Sequence, residues 1–187
     1  MQSDVGSFAI DRYVDLFDAE FGELVTGETP DAPNPMTALW IFIRQRPRPE
    51  VVLGGNAYGD EVPLFVPSEP PGDLLRAWFE QEEKFDGYLA RFDLDDDATQ
   101  VAEDLLDSIL GRELVLLSGR LAARLQTAGI LLDPDFRGGL LIDDEIHEEP
   151  AGFTDQARSG LAELPTHAAD QLRAALYADP ARGAWLD

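Results

Sequence analysis

Cysteine is absent from this chain of 187 residues, which excludes a disulfide framework, thiol chemistry and Cys-ligated zinc. Lysine occurs once, as Lys84; every other basic residue is arginine. The only imidazoles are His147 and His167, and no Gly-x-Ser-x-Gly is present, so nucleophilic catalysis finds little support. The stretch "GGNAYGD" (54–60) lacks the Gly-Lys-Ser/Thr that completes a phosphate loop, and it reads as a turn. No cofactor motif is found, and no cofactor is expected. No apolar run approaches the roughly 18 residues of a membrane span. "MQSDVGSFAIDRYVDLF" has neither a basic n-region nor a continuous apolar h-region, so a signal peptide is not expected and the sequence points to a bacterial cytoplasm.

Acid is what the chain has in excess. Asp and Glu number 37 against 14 basic residues, a formal net charge of −23. Such a chain repels nucleic acid and anionic membrane surfaces, and its natural partners are basic proteins or cations. The preference for Arg over Lys fits a GC-rich genome or a salt-rich cytoplasm. An acidic housekeeping domain of such an organism, with no charge-driven partner, is therefore the plain alternative. Hydrophobic residues make up 44%, with ten Phe, three Trp and four Tyr, enough for a real core. The length and the lack of a convincing linker predict one domain over residues 1–187.

Periodicity predicts an α+β fold, an antiparallel sheet packed against several amphipathic helices. Ile10, Tyr13, Val14, Phe17, Phe21 and Leu24 recur at helical spacing, and Pro30, Pro33 and Pro35 follow in a loop over 26–35. "ALWIFIR" (38–44), "VVLGG" (51–55) and "EVPLFVP" (61–67) suggest a three-stranded meander with Pro63 at an edge. Helical spacing returns in 72–92, with Leu75, Trp78, Phe85, Leu89 and Phe92 on one seam. A helix over 98–110 is expected to stop at Gly111. Residues 113–118 fit either a strand or a helix, the helix running on to a cap at Gly129. "ILLD" and "GLLIDDEI" suggest a later strand pair around the turn "PDFRGG". Two short helices after Thr154 and Thr166 finish the chain.

Two acidic stretches invite a metal reading. Asp93, Asp95, Asp97 and Asp104 match part of a calcium loop, but Ala98 stands where that loop needs glycine. A helix start with Asp97 as N-cap and Gln100 reaching back explains more. In "IDDEIHEE", Asp143, Glu145, His147 and Glu149 share one side of an extended chain, so Asp143, Glu145 and His147 are weak metal candidates. Glu82 falls on the apolar seam of its helix, where a desolvated carboxylate acquires a raised pKa. Arg44, Arg46 and Arg48 place three positive charges in five residues, suited to a carboxylate or phosphate.

The leading expectation is a non-enzymatic acidic protein-binding domain, such as an immunity-type inhibitor of a basic toxin or a nucleic-acid mimic. Its partner-binding residues would be Arg44, Arg46, Arg48, Asp143, Glu145 and Glu149. A carboxylate/His metal-dependent hydrolase is the alternative from a different class.

Overall fold

The computed structural model describes residues 8–27, 35–44, 50–57, 72–142 and 145–187. The chain opens with α1 (Asp11–Gly27), continues through the antiparallel hairpin of β1 (Met36–Arg44) and β2 (Glu50–Ala57), and returns to helix in α2 (Gly72–Leu89). A long helix, α3 (Asp96–Thr127), leads into β3 (Leu132–Ile142) and β4 (Glu145–His147). Then come α4 (Pro150–Glu163), α5 (Thr166–Leu176), the short α6 (Pro180–Gly183) and a single 3-10 turn. Helices and sheet are segregated, as the α+β reading requires. Among the described residues, no helix is long and apolar enough to cross a membrane.

The sheet is mixed, which corrects the expected antiparallel one. Its order is β2-β1-β3-β4, and β3 lies parallel to β1, with Ile41 opposite Leu140 and Ile43 opposite Ile142. Parallel neighbours need a long crossover, and here α2 and α3 lie within it. "ILLD" and "GLLIDDEI" do not pair with each other. Residues 132–142 form one strand, whose pairing with β1 slips between Leu132 and Arg137. Pro134 lies in the slip and cannot donate to a ladder, while the Asp133 side chain accepts from the Asp135 amide at 2.8 Å. Those local bonds explain why the stretch reads as a turn. The proposed third meander strand, 61–67, lies outside the described residues.

α3 is the second correction. Gly111 does not end it, and 113–118 are helical; the helix runs for 32 residues, roughly 48 Å. Its middle is buried nearly all round, from Ile109 to Ser118, so no single apolar stripe marks it. Gly111 survives in the interior because of what it faces: a Cβ there would stand 2.5 Å from the Phe153 ring of α4. The expected end at Gly129 is correct, with φ at 96° and Ile130 N–H donating to the Leu125 carbonyl at 3.0 Å.

The N-cap of α3 is Asp95 rather than Asp97. Its side chain accepts from Ala98 N–H at 2.8 Å, while Asp96 and Asp97 sit in the first turn beside the positive end of the helix dipole. Gln100 bonds forward to Asp104 at 2.9 Å instead of back to the cap. Asp95→Ala should therefore cost about 0.5–2 kcal/mol. Asp97→Ala should cost less, and urea denaturation of both variants ranks them. A larger loss from Asp97→Ala would return the cap to that residue.

One hydrophobic cluster runs from Phe8 to Leu186. Ile10, just before α1, and Val14, Phe17 and Phe21 on it are all fully buried, and a buried Phe stabilises by about 1.5–3 kcal/mol. On α2 the buried row is Gln81, Phe85 and Leu89. Glu82, expected on that seam, is exposed, because the four-residue row passes through position 81.

The C-terminal segment is tied down by polar bonds. Buried Glu113 of α3 accepts from the Tyr177 hydroxyl at 2.9 Å and from Arg112 Nη1 at 2.9 Å. The Arg112 guanidinium also lies over the Trp185 ring at 4.0 Å, and Trp185 Nε1 donates to Tyr177 at 3.3 Å. Burial first, and then the Glu113 carboxylate, raise the Tyr177 pKa well above the ordinary phenol range, so it remains a donor. At the other end of the chain, buried Asp11 accepts from the amides of Ala178 and Asp179, both at 3.0 Å.

Candidate functional site

α3 and α4 pack against each other beside one end of the sheet, and a groove of about 510 Å³ opens along their junction. Its apolar lining comes from Ile43 of β1, Leu140 and Ile142 of β3, Leu105 and Leu114 of α3, and Phe153 of α4. Its polar lining follows helical spacing. Asp104, Asp107 and Ser108 stand three and four apart on α3, while Gln156, Ser159, Gly160 and Glu163 do the same on α4. Ser108 spans the two walls: its hydroxyl donates to the Asp104 carbonyl at 2.8 Å and contacts Gln156 Oε1 at 3.4 Å. Ser159 donates to Glu163 at 3.1 Å.

Three carboxylates therefore line a groove whose lining holds no lysine or arginine. Asp107 is perturbed by its environment. It keeps solvent contact, yet crowding by protein atoms desolvates the carboxyl, and Glu82, Asp104 and Glu103 add like charge. Together they push its pKa from 3.8 to about 6. A raised carboxyl pKa means the folded state holds the proton more tightly than the unfolded state does. Stability is then lost as pH rises from about 4 through about 6. Asp107→Asn should be neutral near pH 4 and stabilising above pH 6, visible as a widening gap between urea midpoints. A gap that stays constant across that range would contradict the crowding.

A second depression adjoins the groove, sharing His147, Phe153 and Gln156 in its lining, and it reaches Ile146, Glu149 and Gly152. His147 packs on Phe153 with ring centroids 5.0 Å apart. Ile146 is 61% exposed.

The residues singled out in the sequence gather only in part. Arg44 ends β1, its backbone opposite Glu50; Arg46, Arg48 and Asp143 lie outside the described residues. Parallel pairing of β1 with β3 brings Arg44 and Ile142 to the same end of the sheet, so both marked stretches depart from one place. Glu145 and His147 do share a side of β4, with 4.0 Å between Oε2 and Nε2. Glu149 does not continue that side, since β4 ends at His147 and Glu149 precedes α4. Among the described residues, no three His, Asp or Glu side chains converge as a metal ion would need. Asp95 is occupied as a cap and Asp104 is one turn or more into α3, so 93–104 forms no calcium-type loop.

Sequence reasoning missed Asp107, Gln156 and Glu163, and weighed Asp104 only as part of a calcium loop. Their signal was two polar stripes at helical spacing, each ordinary alone, and nothing local says that the stripes face each other. No family model matches this chain, and no curated protein or solved structure is significantly similar to it.

Proposed function

We propose that this chain is a non-enzymatic, cytosolic protein-binding domain whose acidic surface receives a basic partner, in the manner of an immunity-type inhibitor of a basic toxin or of a nucleic-acid mimic. One observation carries the reading. Glu82 of α2 and Glu103, Asp104 and Asp107 of α3 cluster together; desolvation first, and then this like charge, raises the Asp107 pKa to about 6, and none of the four has an ion-pair partner among the described residues. Unrelieved like charge opposes folding, and local rules are broken most often where a site serves a ligand. A basic partner relieves the repulsion on binding. The net charge of −23 supports the same reading, since it accelerates encounter with a basic surface.

The test measures association with small basic ribonucleases, and with duplex DNA, across a salt series. The chain should bind a basic protein with affinity that falls as salt rises, because the screening length is about 8 Å at physiological ionic strength. It should leave DNA unbound. Reversing Glu82, Glu103 and Asp107 to Lys should slow association about tenfold. Reversing Asp143, Glu145 and Glu149 should slow it too if that stretch of sequence also meets the partner. Arg44, Arg46 and Arg48, replaced by Ala, matter only if the partner presents carboxylates or phosphates to that stretch. Binding that is indifferent to salt and to the α2/α3 reversal would overturn the proposal and leave the acidity as a property of composition.

A further inference from the structure

We propose that the groove between α3 and α4, with the depression that adjoins it at His147, is the docking track for an amphipathic segment of a partner protein that carries lysine or arginine beside bulky apolar side chains. The inference rests on the protein-binding reading and adds the place and the chemistry of contact.

Shape selects a segment over a small amine. The groove alone, at about 510 Å³, is of the size that takes a small ligand. A second depression adjoins it, however. The two depressions share His147, Phe153 and Gln156, and along α4 their lining extends from Gly152 to Glu163. Eleven helical steps correspond to roughly 17 Å. That length suits about three turns of helix or five extended residues.

Chemistry selects both apolar and cationic side chains. On the floor Ile142 and the Phe153 ring are half-buried above the buried Ile43, Leu105 and Leu140, and Ile146 stands 61% exposed beside the far depression. The first depression is lined by Asp104, Asp107 and Glu163, with no cation in its lining. In the second, Arg137 is paired with Glu148 at 3.4 Å, and Glu149 is exposed. A segment with apolar residues on the floor and an ammonium or guanidinium at the Asp104–Asp107–Glu163 end satisfies both. A neutral or acidic segment leaves the carboxylates unrelieved.

Binding should also depend on pH. A cation beside Asp107 must displace the proton that crowding favours, so binding tightens as pH rises through about 6. The charged and titratable groups around that carboxyl are Glu82 from α2, Glu103 and Asp104 from α3, Glu163 from α4 and His147 from β4.

The experiment titrates a peptide of about twelve residues into the ¹⁵N-labelled full chain. The peptide is built of leucine, lysine and alanine at helical spacing, and a helix of that size spans roughly 18 Å. Amide shifts should concentrate at Ser108, Gly111, Gly152, Ser159 and Gly160. Asp107→Asn and Glu163→Gln should each weaken binding about two- to fivefold, the range an exposed ion pair supports. Asp107→Asn should also flatten the pH dependence. Peptides with glutamine for lysine, or serine for leucine, should bind measurably less.

If basic ribonucleases bind while the groove amides and both variants are indifferent, the docking site is wrong and the protein-binding reading stands. If neither ribonuclease nor peptide binds, both are wrong. Equal shifts from butylamine at the same concentration would make the groove a small-amine site and overturn the segment.

Discussion

Glu113→Ala should destabilise the protein by about 3–5 kcal/mol, the cost of breaking a buried ion pair by removing one partner. Two donors lose their acceptor at once. Arg112 keeps its bond to the Thr154 hydroxyl at 3.1 Å and its place over Trp185, but its charge is left with no carboxylate in contact. Tyr177, 5% exposed, keeps only the indole N–H of Trp185 as a neighbour, and that group is a donor. The loss corresponds to roughly 6–20 °C in Tm for a chain of this size. Glu113→Gln preserves an acceptor oxygen and should cost clearly less. Urea midpoints at unchanged slope measure both. A double-mutant cycle with Tyr177→Phe isolates the hydroxyl's share, expected at about 1.5–3 kcal/mol for a hydrogen bond to a charged group. An alanine variant within about 1 kcal/mol of the parent would show that the network is solvated.

The second large effect is expected at Asp11, where the start of α1 meets the residues after α5. Asp11 Oδ2 accepts two backbone N–H groups, and Ile10 N–H donates to the Leu176 carbonyl at 2.7 Å, so one short stretch closes onto another by three bonds. Asp11→Ala removes two of them and should cost about 2–4 kcal/mol, since bonds to a charged acceptor contribute about 1.5–3 kcal/mol each and water can reach the freed amides. Asp11→Asn should be milder. It keeps an oxygen for the two amides, and the other oxygen, Oδ1, has no partner to lose. Hydrogen exchange gives the sharper readout: in the alanine variant the amides of Ala178 and Asp179 should exchange faster than those in the middle of α3. Unchanged protection would place the stability of this junction in its apolar contacts instead.

The parts of the fold governed by local rules were legible. The α1 spacing, the β1/β2 hairpin and the αL glycine after α3 each depend on residues a few positions apart. The failures share a cause. Gly111 looks like a helix end until Phe153 is placed against it, and Ser118-Gly119 looks like an interruption until Ser118 is seen bonding the Val115 carbonyl at 2.7 Å inside the core. Whether β3 joins β1 parallel, or forms a hairpin of its own, depends on the crossover rather than on "GLLI". The candidate site was legible only as charge. Asp104 and Asp107 are two acids among many until α4 brings Glu163 across from them, and that juxtaposition arises from tertiary packing.

The parallel pairing of β1 and β3 also sets an order of events. Leu39, Ile41 and Ile43 leave the ribosome early, and their hairpin mate β2 follows at once. The strand that covers their other edge is made only after α2 and α3 have been synthesised. Until then the middle strand of the finished sheet is a bare edge, apolar on its core face, the kind of surface that recruits other chains. Such distant pairing slows folding, because loop closure comes before the contacts that compensate it. Yield should therefore respond more to translation speed and to chaperone supply than the stability of the finished fold would suggest.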